Sequence, residues 1–369
     1  MILPPFEVII SYLVSIMLFE RLLLNSVSKD IIKETKDSFI ADTHFDTLKI
    51  IKPEERNIMA IKKVTLIGLG AMGVFFAPKL DHYLGKGNFR VLAEGERKER
   101  LETRGVTVNG VRHQFTVITP DLKEDTADLI IIAVKETGLN QAITDIRNQV
   151  GEHTQILCVL NGIDSEERVA AVYGWEHVMY SYMRVSVVMK DGVTDAVPDW
   201  GKVHFGEAKN EIVSERVNLV KELFDASGIG YNIDPDMIKG MWFKFMCNVG
   251  ENLTCALLGI PFGAYQVSEH ANAVRHAAMR EVIQIANKLG VGLGEEDLEF
   301  QEGTIKKLPL SNKPSTLQDL ENGRVTEIDM FAGKVVKLGE ELGIETPLNW
   351  MFYHGIKVCE EKNLGKFNF

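Results

Sequence analysis

Val64-Thr65-Leu66-Ile67-Gly68-Leu69-Gly70-Ala71-Met72-Gly73 is the stretch on which the fold turns. Its first four residues read as a short apolar strand, and a helical pattern runs from the glycines to about Leu84. Gly68, Gly70 and Gly73 stand in G-x-G-x-x-G spacing, with Leu69, Ala71 and Met72 between them. In a chain of 369 residues with 31 glycines that spacing alone is a weak signal. Its context strengthens it. Directly after a strand and opening a helix, such a loop lets backbone approach a pyrophosphate, whose charge the helix N-terminus favours.

Outward from that unit, short apolar runs alternate with helical patterns from Lys62 to about Phe205, as in a mostly parallel sheet covered by helices. Phe89–Ala93 predicts a second strand and Glu96–Arg104 a helix. Asn109-Gly110 predicts a hairpin between Val106–Val108 and Gln114–Ile118. Leu129–Val134 is a strand buried on both faces, followed by a helix over 138–149, a strand at Ile156–Leu160, and shorter strands at 178–189 and 202–205. After Glu211 the pattern turns helical, with helices predicted over 236–258, 269–289, 295–307 and 316–342. Asp234-Pro235 marks the boundary. The expectation is an α/β chain: a Rossmann-type dinucleotide-binding domain over 59–234, then an all-helical substrate domain over 235–369.

The composition, 45% hydrophobic and 25% charged, is that of a globular protein. A net charge of −11 argues against a general nucleic-acid binder or a binder of anionic membranes. Cys158, Cys247, Cys255 and Cys359 form no C-x-x-C pair, and the histidines do not cluster at ligand spacing. A reduced, cytoplasmic chain without a metal is expected. Residues 1–58 read as an extension outside the fold. Ile9 to Phe19 is apolar, but Glu20 and Arg21 stop it short of the roughly 20 residues a membrane span needs. No membrane association is expected for 59–369, and Met59 is expected to be the natural start, which intact-mass measurement on native protein checks.

Ligands of open α/β sheets gather outside the carboxyl ends of the strands. Glu94 ends the second strand, where a carboxylate would accept hydrogen bonds from the adenosine ribose and favour NAD(H); Arg97, with Lys98 and Arg100, could instead meet a 2′-phosphate. Lys135 ends the Leu129–Val134 run and Asn161-Gly162 ends Ile156–Leu160, so polar groups of four strands meet at one edge.

The most informative helix carries Lys244, Asn248 and Asn252, which advance by only about 40° per step and form one polar line among Trp242, Phe243, Phe245 and Met246. Burying an ammonium and two amides is costly without partners, so a ligand is a credible one. The apolar surroundings would lower the lysine pKa and make it a usable proton donor. A structural network between helices is the plainer alternative. Ser315, near a helix start after Pro314, and Glu327, about 120° round the same predicted helix, form a second cluster.

Taken in order, the glycine loop, Val134-Lys135, Leu160-Asn161-Gly162, Trp242-x-Lys244-x3-Asn248-x3-Asn252, Ser315-x-x-Gln318-Asp319 and Thr326-Glu327 resemble the ketopantoate reductase family from about Lys62 to near the C-terminus. The resemblance implies a helical domain like the C-terminal domain of 6-phosphogluconate dehydrogenase. It also implies NADPH-dependent reduction of a small-molecule keto acid, 2-dehydropantoate, to (R)-pantoate. Lys244 would be the general acid. Asn248, Asn252 and Ser315 would hold the substrate, and Asn161 would sit between substrate and nicotinamide. Lys135 would lie near the cofactor phosphates or the cleft, and Glu327 near the cofactor ribose or the reacting groups; a homodimer is compatible with it. Two departures stand out: Glu94 where the family often has a basic residue, which admits NAD, and Phe262 where many members have an asparagine. A reductase of another 2-keto or 2-imino acid, or a dinucleotide-binding sensor without turnover, are the competing expectations.

Overall fold

A computed structural model describes residues 60–123, 125–190 and 193–367. The expectations for 1–58 and for a start at Met59 lie outside the described residues. β1 (Val64–Ile67) runs through the glycine turn into α1 (Gly73–Leu84), and β2 (Phe89–Leu92) returns parallel to β1. α2 (Gly95–Arg104) leads to a hairpin, β3 (Val106–Val108) and β4 (Val111–His113), and then to β5 (Thr116–Ile118). β6 (Ala127–Ile132), α3 (Leu139–Asp145), β7 (Val150–Cys158) and α4 (Ser165–Tyr173) precede a long antiparallel pair, β8 (Val178–Lys190) and β9 (Val193–Gly206). α5 (Glu215–Ser227) and β10 (Tyr231–Asn232) complete the sheet-bearing part. The helical part comprises α6 (Met237–Cys247), a π turn (Asn248–Asn252), α7 (Leu253–Leu258), α8 (Glu269–Lys288) and α9 (Glu295–Ile305). It continues through α10 (Ser315–Glu321), a second π turn (Asp329–Gly333), α11 (Lys334–Leu342) and α12 (Pro347–Asn363).

The described strands form one sheet in the order β4-β3-β9-β8-β7-β6-β1-β2-β5, with β10 beside β9. β1 lies between β2 and β6, parallel to both. The chain therefore builds outward on one side of β1 before returning to the other, and the gap between the ends of β1 and β6 is a topological switch point, where such sheets open a ligand crevice. β1 and β6 are mostly apolar because helices cover both faces; the exceptions, Thr65 and Asp128, are hydrogen-bonded, Thr65 to Gln149 and Asp128 to the backbone of Lys62 and Lys63. Leu129 and Ile131 enter one core layer, with Val64, Leu66 and Phe76, while Ile130 and Ile132 enter the opposite one, with Ile67 and Ile143. A separate core in the helical part gathers Phe245, Met246, Val282, Phe331 and Phe352.

Four readings of the sequence need correction. Asn109-Gly110 does turn a hairpin, but the partner of β3 is β4; Thr116–Ile118 pairs in parallel with β2 instead. The strand expected at 202–205 starts nine residues earlier, at Val193, because it pairs along nearly the whole length of β8, which runs as expected from Val178. The predicted helix over 316–342 is broken after Glu321, where Gly323 takes a left-handed backbone at φ 65°, so Glu327 lies in the connection ahead of the second π turn rather than on the helix of Ser315. Finally, the helix over 236–258 contains a π turn at the two asparagines. There a Cβ on Gly250 would lie 2.4 Å from Met279 Cγ, so α8 packs directly against the π turn.

That π turn also delivers Glu251 to a fully buried arginine. Arg275 of α8 lies 3.2 Å from Glu251, donates to Asn272 at 2.6 Å, pairs with Glu302 and stacks over the Tyr265 ring. Gln301 Nε2 donates to both Glu251 oxygens at 2.9 and 3.1 Å. Burial nevertheless pushes Glu251 up to about 7. Removing the arginine leaves the buried Glu251 carboxylate held by Gln301 alone, with no cation beside it. Arg275→Met is expected to cost about 3–5 kcal/mol in urea unfolding at neutral pH. A loss below about 1 kcal/mol, the usual worth of a surface pair, would show that this pair is not the buried one described.

Candidate active site

The carboxyl edge of the sheet gathers the first set of groups. Gly68 follows β1 with φ +97°, and a Cβ there would sit 2.5 Å from the Ala133 carbonyl carbon at the end of β6. A Cβ on Gly73 would meet the Gly68 oxygen at 2.1 Å. Both glycines are thus required by packing at the switch point. Gly70 is different: a Cβ there meets nothing within 4 Å. Leu69 is buried, Ala71 and Met72 are half-buried, and the loop opens onto the N-terminus of α1. This open cradle suits the pyrophosphate of a dinucleotide. Glu94, at the N-cap of α2, and Arg97, in its first turn, are both exposed, and Glu94 makes no capping bond.

Lys135 and Asn161 extend from β6 and β7 toward the helical part. Lys135 is exposed and meets Asp319 of α10 at 3.4 Å; Asp319 in turn holds Arg324 at 2.7 Å. Gly162, with φ +101°, brings its Cα side against Met330 of the second π turn. Lys334 pairs with Asp164 at 2.8 Å. The β6 and β7 loops are therefore docked on α10 and the second π turn, and Lys244 of α6 reaches the same edge at Asn161.

At its centre a short relay joins three distant segments. Lys244 Nζ donates to Asn161 Oδ1 at 2.9 Å, and Asn161 Nδ2 donates to Glu327 Oε2 at 3.1 Å. Burial is the main influence on Lys244 and lowers its pKa to about 8. Glu327 and Glu166 pull it back up, while the charge of Arg184 pushes it further down. Glu166 is itself buried in the first turn of α4, where it accepts from Ser165 Oγ at 2.7 Å and from the Ser181 backbone at 3.2 Å. Its burial raises it to about 7. An amine titrating near 8, held by an amide at the mouth of a buried strand, can hand over a proton at neutral pH and take one back.

The remaining predicted residues are placed less tightly. Asn252 Nδ2 donates to Asn248 Oδ1 at 3.3 Å, so the two amides stay side by side through the π turn, Asn252 buried and Asn248 half-buried. Ser315 is the exposed first residue of α10 and makes no side-chain hydrogen bond among the described residues, so the capping role open to it is not used. Sequence reasoning missed Glu166 and Arg184. The first lies just after Asn161-Gly162 in a helix the periodicity did not flag; the second is a charged residue inside a β-rich run, which was its only signal.

A mostly parallel sheet with a glycine loop at its switch point, joined to a helical part that contributes a half-buried lysine, defines an oxidoreductase of the two-domain Rossmann-type class. Sequence comparison narrows this. A profile described as ketopantoate reductase PanE/ApbA matches residues 64–210, and its C-terminal counterpart matches 236–360. The chain belongs to the ketopantoate reductase family. It is 28% identical over 299 residues to a 2-dehydropantoate 2-reductase of Streptococcus pyogenes, covering 77% of this chain and 93% of that one. It is 25% identical over 306 residues to its counterpart in Pyrococcus horikoshii, covering 81% and 97%. Among solved structures, D-mandelate dehydrogenase with NADH and anilino(oxo)acetate shares the fold at a TM-score of 0.74 and 21% identity, covering 82% of this chain and 99% of that one. A dimeric ketopantoate reductase from Staphylococcus aureus aligns at a TM-score of 0.64 and 18% identity, covering 82% and 99%.

All four cysteines are free, and three are buried. Among the described residues no helix is long and apolar enough to cross a membrane, and no cluster of potential metal ligands occurs.

Proposed function

We propose that this protein reduces 2-dehydropantoate to (R)-pantoate with a nicotinamide dinucleotide, with Lys244 as the general acid. The observation that carries the reading is the Lys244–Asn161 hydrogen bond of 2.9 Å at the carboxyl edge of the sheet. Bound along the glycine loop, the reduced dinucleotide supplies the hydride. The chain itself does the rest. Gly68 to Gly73 accept the pyrophosphate, and Lys135 and Arg97 add positive charge near the phosphates. Glu94 is positioned for a ribose. Asn161 orients the Lys244 ammonium and reaches the reacting carbonyl, while Glu327 fixes the Asn161 amide and supports the charge on Lys244. As the carbonyl oxygen becomes an alkoxide, Lys244 Nζ releases its proton to it. Asn248, Asn252 and Ser315 hold the substrate's polar groups, and closure of the cleft excludes water.

NADPH is the expected donor, with NADH admitted by the exposed Glu94. A cytoplasmic enzyme working as a dimer, like the Staphylococcus aureus relative, and a division near residue 234 between dinucleotide-binding and substrate domains belong to the same proposal.

A second reading has its own support. Phe262 is packed against the helical core beside Tyr265, at 6.3 Å between ring centroids, and offers a substrate no amide. A related 2-keto acid with an apolar or aromatic substituent suits that surface, in line with the fold shared with a mandelate dehydrogenase. The test is a panel of 2-keto acids, ketopantoate and phenylglyoxylate among them, with NADPH and with NADH, following loss of nicotinamide absorbance. Rapid oxidation confined to ketopantoate supports the first reading, and preference for phenylglyoxylate the second. No oxidation with any 2-keto acid removes both and leaves the dinucleotide-binding sensor.

A further inference from the structure

Among the described residues, the half-buried and buried arginines Arg90, Arg168, Arg216 and Arg275 each hold a carboxylate within 4 Å. Arg184 does not. It is half-buried in β8, and its one described hydrogen bond is a long one of 3.4 Å to Gln301 Oε1. Asp234 and Glu251 lie within its electrostatic reach, and both are already engaged. Asp234 accepts from Tyr182 at 2.6 Å and pairs with His204 at 2.9 Å, while Glu251 is held by Gln301 and Arg275. A half-buried guanidinium with most of its five donors unused by protein groups is open to a further anionic partner.

Its position says what. Along β8, Tyr182 packs on Met237 and Met241 of α6. Arg184 is two residues further, on the same face by strand alternation and about 6.5 Å nearer the far end of the strand. There its guanidinium lies 5.3 Å from the centroid of Phe243, the residue beside Lys244. β7 has already ended at Cys158, so β8 carries this side chain past the strand end from which Asn161 projects. Lys244 feels the charge of Arg184 directly.

We infer that Arg184 is the anchor for the substrate's carboxylate, gripping it side-on while Lys244 faces the adjacent keto oxygen, and that it sets the preference for a 2-keto acid over its neutral derivatives. A planar guanidinium pairs with a carboxylate through two parallel hydrogen bonds, a geometry lysine cannot reproduce. Gln301, bridging Arg184 and Glu251, acts as a positioning residue that fixes the fork. The inference rests on the reductase reading for the identity of the substrate, but its test does not depend on turnover.

Binding of pantoate and of its neutral amide to the full chain with NADP+ is measured by calorimetry for wild type, Arg184→Gln and Arg184→Lys. Wild type is expected to bind the acid at least about 10-fold more tightly than the amide, and Arg184→Gln to weaken the acid by about 10- to 100-fold with the amide unchanged. Arg184→Lys should retain part of the preference. The acid-to-amide ratio is read within each protein, so a partly destabilised variant still reports. Equal weakening of acid and amide, a preserved preference in Arg184→Gln, or no preference in wild type would each overturn the anchor. Loss of preference in Arg184→Gln together with no oxidation of NADPH or NADH by any 2-keto acid would instead retain the anchor and remove the reductase reading.

Discussion

Lys244→Met is expected to lower kcat for keto-acid reduction by about 10²- to 10⁴-fold while leaving dinucleotide affinity within a few-fold of wild type. Methionine conserves the bulk of the stem among Trp242, Phe243 and Phe245, so the fold should stand. What disappears is the proton at Nζ. The same group sets a pH dependence whose sign follows from its task. With a pKa near 8, the amine is protonated below that value and neutral above it. Reduction needs the ammonium, so kcat should be level at lower pH and fall about tenfold per unit above roughly pH 8. Oxidation of the 2-hydroxy acid uses the same group as a base and should rise through the same region. The folded state binds this proton less readily than an ordinary lysine, so its burial weighs against stability below pH 8 and the penalty fades as pH climbs toward 10.5. In Lys244→Met both rate profiles should lose the step near pH 8. A variant that keeps the step, or keeps more than about a tenth of wild-type kcat, would assign the proton transfer to another group.

Parts of this architecture were open to reading because local chemistry and tertiary role coincide. β1 and β6 are mostly apolar because both faces are covered, and Gly68 and Gly73 mark a turn whose packing forbids side chains. Lys244, Asn248 and Asn252 were visible as polar residues recurring on an apolar helix. Their partner was not, since Asn161 lies 83 residues away and nothing local couples them. Glu327 was placed on a continuous helix although Asn322-Gly323 carries the same pair that signals the hairpin at Asn109-Gly110; apolar periodicity on both sides of the break masked the stop. The π turn at 248–252 is invisible to a count in 3.6-residue turns. It exists because Gly250 admits α8 and Glu251 finds Arg275, both tertiary facts. Arg184 belongs to the same class. In sequence it is one cation in a strand, and only the docking of β8 on α6 puts it against Phe243, where its charge acts on Lys244.

The three glycines of the loop separate what the fold needs from what a ligand needs. Gly68→Ala drives a Cβ into the Ala133 carbonyl at a backbone angle other residues avoid, and Gly73→Ala collides with the Gly68 oxygen. Either change should cost on the order of 3 kcal/mol or more, with dinucleotide binding lost along with local structure. Such results alone would say nothing about function, because a loop that merely packs helix against strand would respond in the same way. Gly70 decides the matter. Its φ is not in the left-handed region and a Cβ there touches no protein atom, so Gly70→Ala should unfold in urea within about 0.5 kcal/mol of wild type. A methyl group pointing into the cradle nevertheless occupies the space through which a pyrophosphate must approach the backbone. Affinity for NADPH, followed by fluorescence titration, should therefore fall about 10- to 100-fold, the equivalent of one or two lost charge-assisted hydrogen bonds. Unchanged stability with weakened cofactor binding identifies the empty side of the loop as the dinucleotide's seat. Unchanged stability with unchanged binding would mean that the glycines serve only the join between β1 and β6, and that the cofactor, if any, lies elsewhere along the edge.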